Sequence, residues 1–289
     1  MVGRANPTVL KRYISLELGR VREAAGIKRE QVAEHLGCSL GHVRHLETMH
    51  SLPKPAEVRV LLPLYGAGER IDSFLELVDA ARRGKDWWVG LPGVPTGFDL
   101  YLGMERAAVT IHSYDAMVVP GRFQTHDYAK AVIWAGESNV PEVELGRRLE
   151  ARMARQDVLT RESDPAAVWC VLDEAVLHRQ PTDPRVLGKQ LEHLVHLSSL
   201  PNVHIQVLPF SGEGLHPGMD GTFEIFTFGP ELVGDPGVAY TESRIRSIYY
   251  EDSGDLLRYR DTWSRLQLLA LNSEESRALL ARRAKEVNS

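Results

Sequence analysis

The sequence predicts an all-α N-terminal domain followed by a larger α+β domain. Three observations carry this. Residues 1–83 hold successive apolar stripes at helical spacing, parted by glycines and prolines. Residues 84–97, "GKDWWVGLPGVPTG", are rich in Gly and Pro and contain two tryptophans, a connection rather than an element. Beyond them, β-branched runs alternate with amphipathic stretches. The expected domains are therefore 1–83, a linker at 84–97, and 98–289.

The N-terminal elements follow in order. "YISLELGRVREAA" (13–25) carries Leu16, Val21, Ala24 and Ala25 at roughly helical spacing, and Gly26 ends it. "REQVAEHL" (29–36) puts Val32, Ala33 and Leu36 on one face, closed by Gly37. Ser39 is a good N-cap for a third helix, 40–48, with Val43 and Leu46 inward. After Pro53 and Pro55 come a fourth helix at 56–65, which Pro63 must kink or end, and a fifth at 71–82.

In the second domain, residues 107–120, 166–177, 202–210, 221–228, 238–243 and 246–252 are strand-like. Helices are predicted at 126–136, 141–160, 184–199, 255–271 and 273–286, the third with an inward stripe of Val186, Leu187, Leu191, Leu194, Val195 and Leu197. One sheet covered by helices is the expected architecture. No internal repeat or long low-complexity tract is present.

Composition narrows the class. The chain has 289 residues, 43% hydrophobic and 25% charged, an ordinary globular balance. No run of about 18 apolar residues occurs, so no membrane span is expected. "MVGRANPTVLKR" lacks the apolar region of a secretory signal. Two cysteines far apart, Cys38 and Cys170, fit a reducing cytoplasm and argue against a disulfide framework or Cys-rich zinc site. Residues 1–70 carry 11 Lys+Arg against 7 Asp+Glu, whereas the remainder carries 23 against 32. A basic end on an acidic body points to a nucleic-acid contact at the N-terminal side, although locally basic surfaces also serve solubility alone.

The strongest motif is "QVAEHLGCSLGHVRHLE" (31–47). A DNA-reading helix-turn-helix needs a small residue inside its first helix, here Ala33, so that the helices cross closely. It needs a glycine at the turn, Gly37, and apolar locks on the reading helix, Val43 and Leu46. An ordinary helical hairpin shares part of this pattern.

These residues carry a resemblance. "LGRVREAAGIKREQVAEHLGCSLGHVRHLE" and "PAEVRVLLPLYGAGE" resemble the Xre/Cro-type helix-turn-helix domain of phage repressors. "WWVGLPG", "MVVPGRFQTHDYAKAVI", "RMARQDVLTR", "LDEAVLHR", "PNVHIQVLPF" and "NSEESRALL" resemble the actinobacterial WhiJ-like, antitoxin-like regulators. The resemblance implies a lambda-repressor-like fold for the N-terminal domain. It also implies a cytoplasmic transcription regulator, usually paired with a small neighbouring-gene protein. It supplies no catalytic residues.

Position by position, it places Arg29 at a phosphate contact, a role suited to its forked guanidinium. Lys28 stands where such domains have a Thr or Asn cap, a loss of roughly 1 kcal/mol. Arg22 and Glu47 match a partly buried ion pair tying the first helix to the third. Leu40 and Gly41 stand where amide or hydroxyl side chains are common; Leu can touch a thymine methyl, and Gly offers only close backbone approach. The polar candidates left on the reading helix are His42, Arg44 and His45, with Arg44 suited to guanine. The histidines could instead lie on a solvated face. Thr48, His50 and Lys54 lie in the exit loop, where phosphates run. Ser39 completes the expected DNA-binding set. So few base contacts per monomer call for a homodimer over two half-sites.

Other features read more blandly. His193 and His196 form H-x-x-H without a third ligand. Asp173 and Glu174 follow a strand and are either a paired acid in a cleft or capping carboxylates. Ser113 beside His112 is a nucleophile pair on paper only, with no G-x-S-x-G and no phosphate loop in the chain. "GEGLHPGMDG" (212–221) reads as a loop able to cradle a ligand. Trp87, Trp88, Tyr101, Tyr114, Phe123, Trp134 and Trp169 line either a pocket or the core.

The expected function is sequence-specific binding of double-stranded DNA through residues 40–48. Control would come through the C-terminal domain, by a small protein partner or a small-molecule ligand. The alternative is an antitoxin-like protein that sequesters a small partner. A third reading, an enzyme carried by the C-terminal domain, is not the expectation. No catalytic residue, cofactor, metal or membrane is expected.

Overall fold

A computed structural model describes residues 5–94, 98–137, 139–211 and 215–289. The chain forms two compact units. The first holds α1 (Pro7–Ala24), α2 (Arg29–Leu36), α3 (Leu40–Glu47), α4 (Pro55–Leu64), α5 (Ile71–Arg83) and α6 (Asp99–Ala107). Its core gathers Val9, Ile14, Leu18, Val32, Val43, Leu46, Val58, Leu62, Phe74 and Val78, all buried. Helix α1 starts at Pro7, six residues before the predicted start. Asn6 caps it, its side chain accepting from Val9 N at 3.0 Å, and Pro7 suits the first helical position. Pro63 falls in the last turn of α4, which ends one residue later.

This unit reaches further along the chain than residues 1–83. The segment to Val89, α6 and residues 229–235 join it, whereas the sequence reading gave 98–107 and 229–235 to the second domain. Polar contacts explain the difference. Asn6 Nδ2 donates to Gly103 O at 2.7 Å and Thr8 Oγ1 to Asp86 at 2.8 Å. Arg12 pairs with Asp235 at 2.6 Å with both side chains buried, and Tyr13 Oη donates to Val233 O at 2.9 Å. Residues 84–94 form turns without a helix or strand.

The second unit is built on β1 (Thr110–Asp115), β2 (Ala167–Asp173), β3 (Val203–Leu208), β4 (Phe223–Thr227), β5 (Val238–Glu242) and β6 (Ser247–Tyr250). The sheet order is β3-β2-β1-β4-β5-β6. β1, β2 and β3 run parallel, and β4, β5 and β6 are antiparallel to their neighbours. Parallel neighbours need crossovers. These are supplied by α7 (His126–Gly136), α8 (Glu142–Ala154) and α9 (Asp157–Thr160) between β1 and β2, and by α10 (Pro184–Leu197) between β2 and β3. The helix predicted at 141–160 is thus divided at residues 155–156. α11 (Ser253–Leu269) and α12 (Ser273–Asn288) complete the unit.

α11 covers one sheet face: Leu256, Trp263 and Leu266 pack with Tyr114, Val171, Leu208, Phe223, Ile225 and Ala239. On the other face Ile111, Val168, Ile205, Phe226 and Val238 are equally buried. α10 packs against α12 and α7, and α12 against β3. The result is an all-α domain followed by an α+β domain. No described helix is long and apolar enough to cross a membrane.

Candidate nucleic-acid interface

The turn between α2 and α3 is set by Gly37. Its φ of 63° and ψ of 37° are left-handed, a conformation that glycine adopts without steric cost. Cys38 N then donates to Ala33 O at 2.9 Å, satisfying a carbonyl at the end of α2. Ser39 caps α3, its hydroxyl accepting from His42 N at 3.2 Å. Val32, Ala33, Val43 and Leu46 are buried, which locks the two helices together. The opposite side of α3 presents Gly41, Arg44, His45 and Thr48, all exposed and one helical turn apart in pairs.

The remaining sequence candidates divide. Arg22 grips Glu47 with two bonds, Nε to Oε1 at 2.7 Å and Nη2 to Oε2 at 3.0 Å, and both side chains are buried. Arg29 adds Nε to Oε2 at 2.7 Å and keeps 40% of its side chain exposed. Arg29 thus shares a structural carboxylate as well as reaching solvent, a contact that the sequence did not reveal. His42 turns to α4, Nε2 lying 2.8 Å from Glu57 Oε1. Leu40 is half-buried at the start of α3.

The exit loop folds back on α3. His50 N and Ser51 N both donate to His45 O at 3.1 Å, and the rings of His45 and His50 stack with centroids 5.1 Å apart. Thr48 Oγ1 donates to Arg44 O at 2.7 Å and lies 2.9 Å from His50 Nδ1. Lys28 and Lys54 are exposed at the N-caps of α2 and α4. A lysine offers no acceptor there. Gln31 and Glu57 reach back instead, accepting from Lys28 N at 2.8 Å and Lys54 N at 2.6 Å, so half of each cap is recovered. Two cations beside two helix N-termini make a surface that favours phosphate.

The second unit distributes its candidates differently. Ser113 and His112 point to opposite faces of β1. Ser113 Oγ donates to Asp115 Oδ2 at 2.8 Å, while the His112 ring stacks on Trp263 at 4.0 Å. Burial lowers the His112 pKa to about 4. Cys170 Sγ lies 3.5 Å from the same Asp115 oxygen, and Arg122 pairs with Glu224 alongside. Burial first, then the Glu224 charge, pushes the Asp115 carboxyl up to about 7.

Asp173 and Glu174 act as caps and braces. Asp173 accepts from Ala175 N at 2.8 Å and from Tyr114 Oη at 3.1 Å, and Glu174 accepts from Phe210 N at 2.7 Å. His216 stands 3.7 Å from Asp173. Residues 212–214 of the loop at 212–221 lie outside the described residues. The rings of His193 and His196 are 6.5 Å apart, and no group of three or more His, Cys, Asp or Glu among the described residues is placed to hold a metal. Trp88, Tyr101, Tyr114 and Phe123 are buried, and they fall in both units.

Comparison with known families finds two regions, the second of which includes α6 and residues 229–235. Residues 14–73 match a helix-turn-helix domain family. Residues 98–282, more than half of the chain, match a family described as a domain of unknown function, DUF5753. No curated protein and no solved structure matches the chain. The chain therefore belongs to the DUF5753 family and carries a helix-turn-helix domain on its N-terminal side.

Proposed function

We propose that the protein is a sequence-specific DNA-binding transcription regulator of the WhiJ-like kind, acting as a homodimer. One observation carries this: the left-handed Gly37 turn and the Ser39 cap hold α3 with Val43 and Leu46 inward and Gly41, Arg44, His45 and Thr48 outward. A helix so presented fits the major groove, where Arg44 suits guanine N7 and O6. Lys28, Lys54 and the exposed part of Arg29 flank it as phosphate contacts.

In this reading the DUF5753 domain carries dimerisation and the regulatory input, from a small protein or ligand, and no catalysis. Input would shift the population between two spacings of the paired reading helices. The test is binding of the purified chain to genomic fragments, its own promoter included, over a salt series. Specific fragments should be retained at low salt and released steeply as salt rises. Failure to retain any fragment at low salt overturns the reading.

A further inference from the structure

β6 ends the sheet, and no described strand lies beyond it. An edge strand turns alternate backbone N–H and C=O groups outward, a template for one more strand. Proteins blunt such edges with proline, charge or a cover. The opposite edge is sealed in this way: Leu271 N donates to Val207 O at 2.9 Å, and Val207 N donates to Ser276 Oγ at 3.0 Å. β6 reads Ser-Ile-Tyr-Tyr, without proline, glycine or charge. Ile248 within it is 45% exposed, and Ile245 in the preceding turn is 89% exposed.

Charge order says what fits this edge. Arg244 and Arg246 precede the strand, and Glu251 and Asp252 follow it. A second copy laid antiparallel sets its acidic end against the basic end of the first, and two-fold symmetry repeats the match. A parallel copy would set like charges together. We propose that β6 pairs antiparallel with β6 of a second copy, continuing both sheets across a two-fold axis.

The register follows from the hairpin. Ser243 N donates to Arg246 O at 2.9 Å, so the hydrogen-bonded pairs with β5 continue at Thr241–Ile248 and Ala239–Tyr250. Residues 247 and 249 therefore direct their backbone groups away from β5. Pairing 247 with 249 of the other copy centres the axis on Ile248 and sets the two Ile248 side chains face to face. The inference deepens the dimer in the reading above, and its test uses no DNA, so its failure leaves DNA binding to be judged separately.

Light scattering of the full chain at micromolar concentration should report a dimer. Ile248→Lys should give a monomer with an unchanged circular dichroism spectrum. Arg244→Glu and Asp252→Arg should each weaken association by about tenfold or more, because this register sets residue 244 opposite residue 252 and each substitution brings like charges together at both ends. An equimolar mixture of these two variants should recover the dimer, since opposite charges then meet again. That recovery requires both variants to be folded, so it stands even if Ile248→Lys fails to fold. A monomeric natural chain, a dimer that survives all three substitutions, or a mixture that associates no better than its components overturns the proposal.

Discussion

Glu47 accepts from two arginines at once, and its buried carboxylate holds α1, α2 and α3 in one arrangement. Glu47→Gln keeps the shape and removes the charge that Arg22 faces. Breaking a buried pair from one side costs about 3 kcal/mol, so the variant should show that loss in urea unfolding. The same scale separates His42 from Arg44. His42 lies against Glu57, whereas Arg44 is exposed on the outer stripe. Arg44→Ala should weaken specific binding by about 1–3 kcal/mol and relax one base preference, read by footprinting on permuted sites. His42→Ala should leave the base preference unchanged. Asp115 gives a pH signature. Its carboxyl holds a proton in the folded chain up to about 7, far above the ordinary 3.8. The stabilisation from that proton is full below the ordinary value and is lost as pH rises through about 7. Asp115→Asn should flatten the fall in the urea midpoint between about pH 4 and pH 7.

At the scale of elements, two glycines four residues apart act in opposite senses. Gly37 must be left-handed, so Gly37→Ala should cost about 1–2 kcal/mol although open space surrounds it. Gly41 is helical, with only Ser39 Oγ near an added Cβ, at 3.8 Å. Gly41→Ala should therefore stabilise α3 by about 0.5 kcal/mol, and paired thermal melts check both signs. Legibility follows the same local logic. α7 and the six strands stand close to where the sequence placed them, α7 behind its Thr125 cap and the strands as short β-branched or aromatic runs between turn residues. α6 went unread. Tyr101, Leu102, Gly103, Met104, Glu105 and Ala107 are all buried, so only the two ends of this nine-residue helix, Asp99 and Arg106, mark its polar side, and Gly103 weakens the pattern further.

At the scale of the molecule, residues 229–235 complete a helical unit that begins more than 200 residues earlier. A fragment spanning 1–83 loses the Asp235 carboxylate from Arg12 and the Val233 carbonyl from Tyr13. It should melt below the helical unit of the whole chain, followed by circular dichroism at the helix band; an equal melting temperature would show that the distant segment contributes nothing. By itself, the sequence determined what short-range chemistry controls: the Gly37 turn, the Ser39 cap, the apolar locks of α3, and the order of the six strands. Only the tertiary structure decided that His42 faces α4, that Arg29 shares Glu47, that β6 lies at an edge, and that 229–235 belongs with α1. Those outcomes depend on partners far apart in the chain. No local periodicity encodes them, and burial selects them only when the whole chain has folded.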